Sequence, residues 1–122
     1  MGALTSRTVT PEMRMSVKAF VDSLIQNHKV VVFSKSYCPY CHKAKSALES
    51  MKLAPGAMEW VEIEDRPDCD AIQDYMKELT GARSVPRVFI GQKFFGGGDD
   101  TAAGAKNGKL TSALAAVGAL AA

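Results

Sequence analysis

At 122 residues, with 47% hydrophobic and 23% charged side chains, the chain has the composition of one soluble globular domain, and a second core is not expected. Its formal charge of +2 comes from 15 basic and 13 acidic side chains with no block of like sign, which argues against a nucleic-acid partner. No apolar stretch approaches the roughly 20 residues of a membrane span, so stable membrane insertion is not expected either.

Three cysteines cannot all pair within one chain, and no secretory pattern precedes them. A reducing compartment, the cytoplasm, is the expected location. There a Cys-x-x-Cys is more often catalytic or metal-binding than a structural disulfide. Met1-Gly2-Ala3-Leu4-Thr5-Ser6 satisfies the short pattern for N-myristoylation, and Arg7 and Arg14 against the single acid Glu12 resemble a mitochondrial targeting remnant. Residues 1–14 are read as a flexible extension, 15–118 as the domain and 119–122 as a frayed alanine-rich end.

Along the chain, Val17, Phe20, Val21, Leu24, Ile25 and His28 repeat with the spacing of a helix that buries one face. Lys29 to Ser34 is a short continuous run built on three β-branched valines, expected for a strand covered on both sides. Pro39 suits the first turn of the next helix, whose apolar face is Cys41, Ala44, Leu48 and Met51 and which ends before Pro55-Gly56. Met58 to Glu64 reads as a second strand. Asp68 or Asp70 would cap a third helix with the stripe Cys69, Ile72, Met76 and Leu79, closed by Gly81. The helix between the two strands makes them a parallel crossover pair. Arg87 to Ile90, the turn Gly91-Gln92 and Lys93 to Phe95 read as a hairpin opened by Pro86. Asp99 and Asp100 then cap a short helix, and Leu110, Leu114 and Val117 mark the last one.

Cys38-Pro39-Tyr40-Cys41 lies where the first strand passes into a helix. Unpaired N–H groups and the positive end of the helix dipole favour a negative sulfur there. Lys35 adds a cation, and Cys41, one turn further in, is shielded but within reach. This makes Cys38 the attacking thiol and Cys41 the resolving one. Zinc needs two more ligands, and neither a second Cys-x-x-Cys nor a paired His is present. Cys38-Pro39-Tyr40-Cys41-His42 also fits the c-type haem pattern, but haem attachment calls for an export signal and not for a preceding buried strand. Cys69 falls on an apolar helical stripe and reads as a buried thiol.

Over roughly Val17 to Val117 the chain resembles the glutaredoxin family. Lys35-Ser36-Tyr37-Cys38-Pro39-Tyr40-Cys41 matches the dithiol class motif, Ser84-Val85-Pro86 resembles its Thr-Val-Pro segment, and Gly96-Gly97-Gly98-Asp99-Asp100 its Gly-Gly-x-Asp-Asp turn. The resemblance implies an α/β thioredoxin fold, a four-stranded mixed sheet flanked by helices, with Pro86 cis and facing the dithiol. It also implies glutathione as reducing co-substrate with no bound cofactor and no metal. The partners would be glutathionylated or disulfide-containing proteins, with oxidised glutathione recycled by glutathione reductase, and a monomer is expected. By the same resemblance Lys35 and Gln73 would meet the glycine carboxylate, and the Val85 backbone would pair with the cysteinyl unit beside Pro86. The N–H groups of Gly98 and Asp99 would hold the γ-glutamyl carboxylate, and the Asp99 side chain its ammonium. Tyr40 would border the site, and Arg83 or Arg87 would add positive potential. The alternative within the family is a [2Fe–2S] carrier with the cluster held between two subunits by Cys38 and glutathione. A rigid Pro39 weakens that reading.

Overall fold

The computed structural model describes residues 9–122; the myristoylation pattern and Arg7 lie outside the described residues. Helix α1 spans Pro11–Asn27, β1 Val30–Ser34, α2 Pro39–Glu49, β2 Met58–Glu62 and α3 Cys69–Thr80. They are followed by β3 Arg87–Ile90, β4 Lys93–Gly96, α4 Gly98–Asn107 and α5 Lys109–Ala116. The four strands form one sheet in the order β2-β1-β3-β4, with β1 parallel to β2 and antiparallel to β3, and β3 antiparallel to β4. This is the thioredoxin fold, with a mixed sheet flanked by helices.

Strand β1 is buried along its whole length because both faces of the sheet are covered. Alternation sends Val31 and Phe33 into one core with Val17 and Val21 of α1 and Ile72 and Met76 of α3. Val30 and Val32 enter the opposite core with Leu48 of α2 and Leu110 and Leu114 of α5. Each such side chain, once fully buried, contributes about 1.5–3 kcal/mol, so β1 is a rigid base for whatever its C-terminal end carries.

The element order matches the sequence reading, and the differences lie at chain ends and caps. Residues 11–14 are helical, not part of an extension. Thr10 is the N-cap, accepting from the Met13 N–H at 3.1 Å, and Pro11 occupies the first turn, where its missing N–H is harmless. At the other end Ala119 is fully buried, its carbonyl accepts from the Ala54 N–H (2.8 Å), and Ala121 donates to the Lys52 carbonyl (2.7 Å). Leu120 bridges to Leu53. The expected fraying at 119–122 gives way to this pairing with the loop after α2. Strand β2 stops at Glu62, two residues early, and Ile63 donates to the Ser34 carbonyl at 2.9 Å. Asp68 holds the cap position of α3 without capping it, because its carboxylate is taken by Arg66 at 2.8 and 3.1 Å. The cap of α4 is Gly97, and Asp99 and Asp100 lie inside its first turn. Among the described residues no helix is long and apolar enough to cross a membrane.

Candidate active site

The buried β1 delivers its C-terminal end to a four-residue loop, 35–38, and Cys38 is the N-cap of α2. Its sulfur accepts from the Cys41 N–H at 3.4 Å, so the cap acceptor is the thiol itself, and the loop closes through the Cys38 N–H on the Lys35 carbonyl at 3.1 Å. Facing it, the Val85–Pro86 peptide is cis, and the half-buried Cys38 S–H donates to the Val85 carbonyl at 3.7 Å. The helix N-terminus offers further N–H groups to an anion at this point.

Cys41 is fully buried. Burial is the largest influence on its thiol, which is pushed up to about 11; N–H donation from Lys35 (3.5 Å) and the Ser34 hydroxyl act in the opposite sense, and Cys38 raises it further. The two sulfurs are therefore unequal: Cys41 is fully buried and stays protonated at neutral pH, whereas Cys38 keeps partial exposure beside Val85. This difference also links to folding. From its ordinary 9.0 the Cys41 thiol rises to about 11 in the native state, so its stabilising contribution is complete below pH 9 and is lost as pH rises through 11. Between pH 8 and 11, denaturant titrations should therefore show wild type losing about 2 kcal/mol more than Cys41→Ala. Equal losses in the two proteins would contradict this.

The loop before Cys38 is clamped by residues that the sequence reading does not single out. Ser36 donates its N–H (3.2 Å) and its hydroxyl to the Glu64 carboxylate, and its carbonyl accepts from the His42 ring Nε2–H at 2.6 Å. Hydrogen bonding from Ser36 is the chief reason the Glu64 carboxyl lies below its ordinary value, with Lys35 adding to it. Glu64 is 28 residues from Ser36, and no short motif marks such a pair.

Across from the dithiol, a cavity of about 340 Å³ is lined by Tyr40, Ser84, Val85, Pro86, Arg87, Gly97, Gly98, Asp99 and Asp100. The start of α4 approaches α2 so closely that a Cβ at Gly98 would lie 2.6 Å from the Tyr40 carbonyl oxygen. With a glycine as N-cap, the first-turn N–H groups of α4 have no side-chain cap and face this region. Thr101 donates its hydroxyl back to the Gly97 carbonyl at 2.7 Å and fixes the turn.

Of the expected site residues, Tyr40, Val85, Pro86, Arg87, Gly98 and Asp99 thus share one cavity. Besides the two cysteines, Lys35, Gln73 and Arg83 do not line it. Gln73 is buried, and its amide N–H donates to the Arg83 carbonyl (2.8 Å) while its oxygen faces the half-buried Cys69 thiol (3.6 Å), so it anchors the 81–86 segment. Arg83 pairs with Asp74 (3.2 Å) and lies 3.7 Å from Asp70. Lys35 acts electrostatically on Glu64 and on Cys69, where it opposes the burial that pushes that thiol up. Arg87 is tied to the Pro86 carbonyl (3.1 Å), to Thr80 (3.3 Å) and to Ser84 (3.4 Å), with its guanidinium over Phe94 at 4.9 Å. The Asp99 carboxylate accepts from Lys43 at 2.7 Å. Among the described residues no group of three or more His, Cys, Asp and Glu side chains is placed to hold a metal ion.

A Cys-x-x-Cys capping a helix, with unequal sulfurs and a cis-proline opposite, on this sheet topology defines a thioredoxin-fold dithiol oxidoreductase. The family model described as Glutaredoxin matches residues 30–95. The chain is 48% identical over 101 residues to glutaredoxin-1 of Rattus norvegicus, covering 83% of this chain and 94% of that one. Among solved structures it is similar to oxidized glutaredoxin 2 from Chlamydomonas reinhardtii (50% identity, TM-score 0.82, 88% of this chain and 98% of that one). It is also similar to the buckwheat glutaredoxin–glutathione complex (34% identity, TM-score 0.84, 93% and 100%). The chain belongs to the glutaredoxin family and is a thiol–disulfide oxidoreductase.

Proposed function

We propose that the protein reduces protein–glutathione mixed disulfides and protein disulfides with glutathione as electron donor. The observation that carries this is the cavity beside Cys38, which joins the Val85 backbone to the uncapped N-terminus of α4 and to Asp99. A γ-glutamyl unit has a carboxylate for the helix N-terminus and an ammonium for Asp99. The cysteinyl unit pairs with Val85 like an added strand, which places its sulfur at Cys38. Lys35 supplies attraction for the glycine carboxylate. Gln73 takes a supporting part, since its amide already holds the segment that presents Val85. Arg87 shapes the cavity wall.

In the first step the Cys38 thiolate attacks the glutathione sulfur of a mixed disulfide. The Cys38–glutathione bond forms and the protein thiolate leaves. A second glutathione thiolate attacks the glutathione sulfur on Cys38, releasing oxidised glutathione and restoring Cys38. On a protein disulfide, Cys38 forms the mixed disulfide and Cys41, after losing its proton, displaces the substrate. Two glutathiones then reduce the internal disulfide. Family potentials of about −200 to −230 mV put both reductions within reach of a glutathione pool. Such a pool places the protein's work in a reducing compartment such as the cytoplasm, with glutathione reductase recycling the product.

The reading is tested by giving the oxidised protein two reducing systems, glutathione with glutathione reductase and NADPH with thioredoxin reductase. Turnover should run at least tenfold faster with the first. Efficient reduction by thioredoxin reductase with little by glutathione would overturn it.

A further inference from the structure

In the free protein the Asp99 carboxylate already holds a cation. Lys43 lies on the second turn of α2 and reaches across to Asp99 of α4 at 2.7 Å, with the two side chains 50% and 72% exposed. Lys43 does not line the cavity beside Cys38. It belongs to an adjoining groove between α2 and α4, with Ala47, Ala102, Ala105 and Lys106. The ammonium therefore enters from the neighbouring groove and ends on a carboxylate at the rim of the cavity.

We propose that Lys43 is an internal competitor for the ammonium of an incoming γ-glutamyl unit, and so sets how strongly the site selects substrates that carry a free α-amino group. This rests on the cavity being the glutathione site. A carboxylate has acceptor capacity for two donors, but two ammonium groups on one aspartate repel each other at close range. The arriving ammonium must displace Lys43 or meet that repulsion, and either reduces what Asp99 contributes to binding. An exposed ion pair of this kind is worth a factor of about two to five. Lys43 also attracts the ligand's carboxylates, but that attraction is the same for a ligand without the amino group. The ratio between two such ligands isolates the competition.

The experiment is rapid mixing of reduced protein with two mixed disulfides of 2-mercaptoethanol, one with glutathione and one with its glutaryl analogue, in which hydrogen replaces the ammonium. In each, Cys38 thiolate attacks the tripeptide sulfur, the new disulfide forms, and mercaptoethanol leaves as the thiolate. Lys43→Met should raise the glutathione-to-glutaryl ratio of second-order rate constants by about two- to fivefold, and Lys43→Arg should keep the wild-type ratio. Asp99→Asn should lower the ratio towards one and abolish the effect of Lys43→Met when the two are combined. An unchanged or lower ratio in Lys43→Met, with Asp99→Asn lowering it as expected, overturns the role of Lys43 alone. A wild-type ratio in Asp99→Asn overturns the ammonium assignment to Asp99 beneath it. Lys43 is half-exposed, so unaltered melting of its variants is the accompanying control.

Discussion

Cys38→Ser is expected to lose at least about a thousandfold in turnover on every disulfide substrate, because it removes the sulfur proposed to attack first. Cys41 cannot take over. It is fully buried, and its thiol is held at about 11, so its thiolate is scarce at neutral pH. Cys41→Ser has a different expected profile. Small glutathione mixed disulfides need only Cys38 and a second glutathione, so that activity should stay within a few-fold of wild type, whereas reduction of protein disulfides should fall by about tenfold or more. Steady-state assays with glutathione reductase and NADPH measure both. Loss of the small-substrate activity in Cys41→Ser would contradict this division of labour.

The second large effect concerns Gly96, where β4 hands over to the turn that presents Gly98 and Asp99. Its φ is 157°, and a Cβ there would collide with the Cβ of Asp100 and lie 2.8 Å from its Oδ2, so an added methyl meets both an unfavourable backbone conformation and a side chain of the turn itself. Gly96→Ala should cost about 2 kcal/mol of stability, since overpacking and a disfavoured φ each contribute on that scale. A displacement of the turn by about 1 Å would further lower kcat/KM for glutathione mixed disulfides up to about a hundredfold. Gly56 supplies the comparison. It also has a positive φ, 76°, but nothing lies within 4 Å of where a methyl would stand, so Gly56→Ala should lower the melting temperature slightly and leave kcat/KM unchanged. Wild-type melting and activity in Gly96→Ala would remove the steric argument.

What can be read from the chain alone follows from which forces are local. The run Val30 to Ser34 opens on three consecutive β-branched valines and is buried on both faces, so strand and centrality are legible together. Pro39 and the spacing of Ala44 and Leu48 likewise announce α2. The start of α1 is written in Thr10-Pro11, a cap followed by a first-turn proline, but the apolar stripe from Val17 is a stronger signal and draws the boundary too late. The alanine-rich end looks frayed in the sequence because the burial of Ala119 depends on the loop around Leu53, far away along the chain. Two aspartates before alanines read as a cap for α4, yet the cap is Gly97, and the first-turn N–H groups are left to the cavity.

The site divides the same way. Cys38, Cys41, Pro86, Gly98 and Asp99 belong to short motifs, and the fold brings those motifs together. Contacts between motifs leave no linear trace. Gln73 turns its amide towards the Arg83 carbonyl, Ser36 finds Glu64, and Lys43 finds Asp99 across 56 residues, because side-chain pairing of this kind is decided by packing geometry and not by spacing.

The most direct measurement of the central claim is to treat Cys41→Ser protein with oxidised glutathione, digest it without reductant and map the adducts by mass spectrometry. The account predicts one glutathionyl group on the peptide carrying Cys38, none on that carrying Cys69, and its quantitative removal by added glutathione. An adduct confined to Cys69, or an unmodified Cys38, would contradict it.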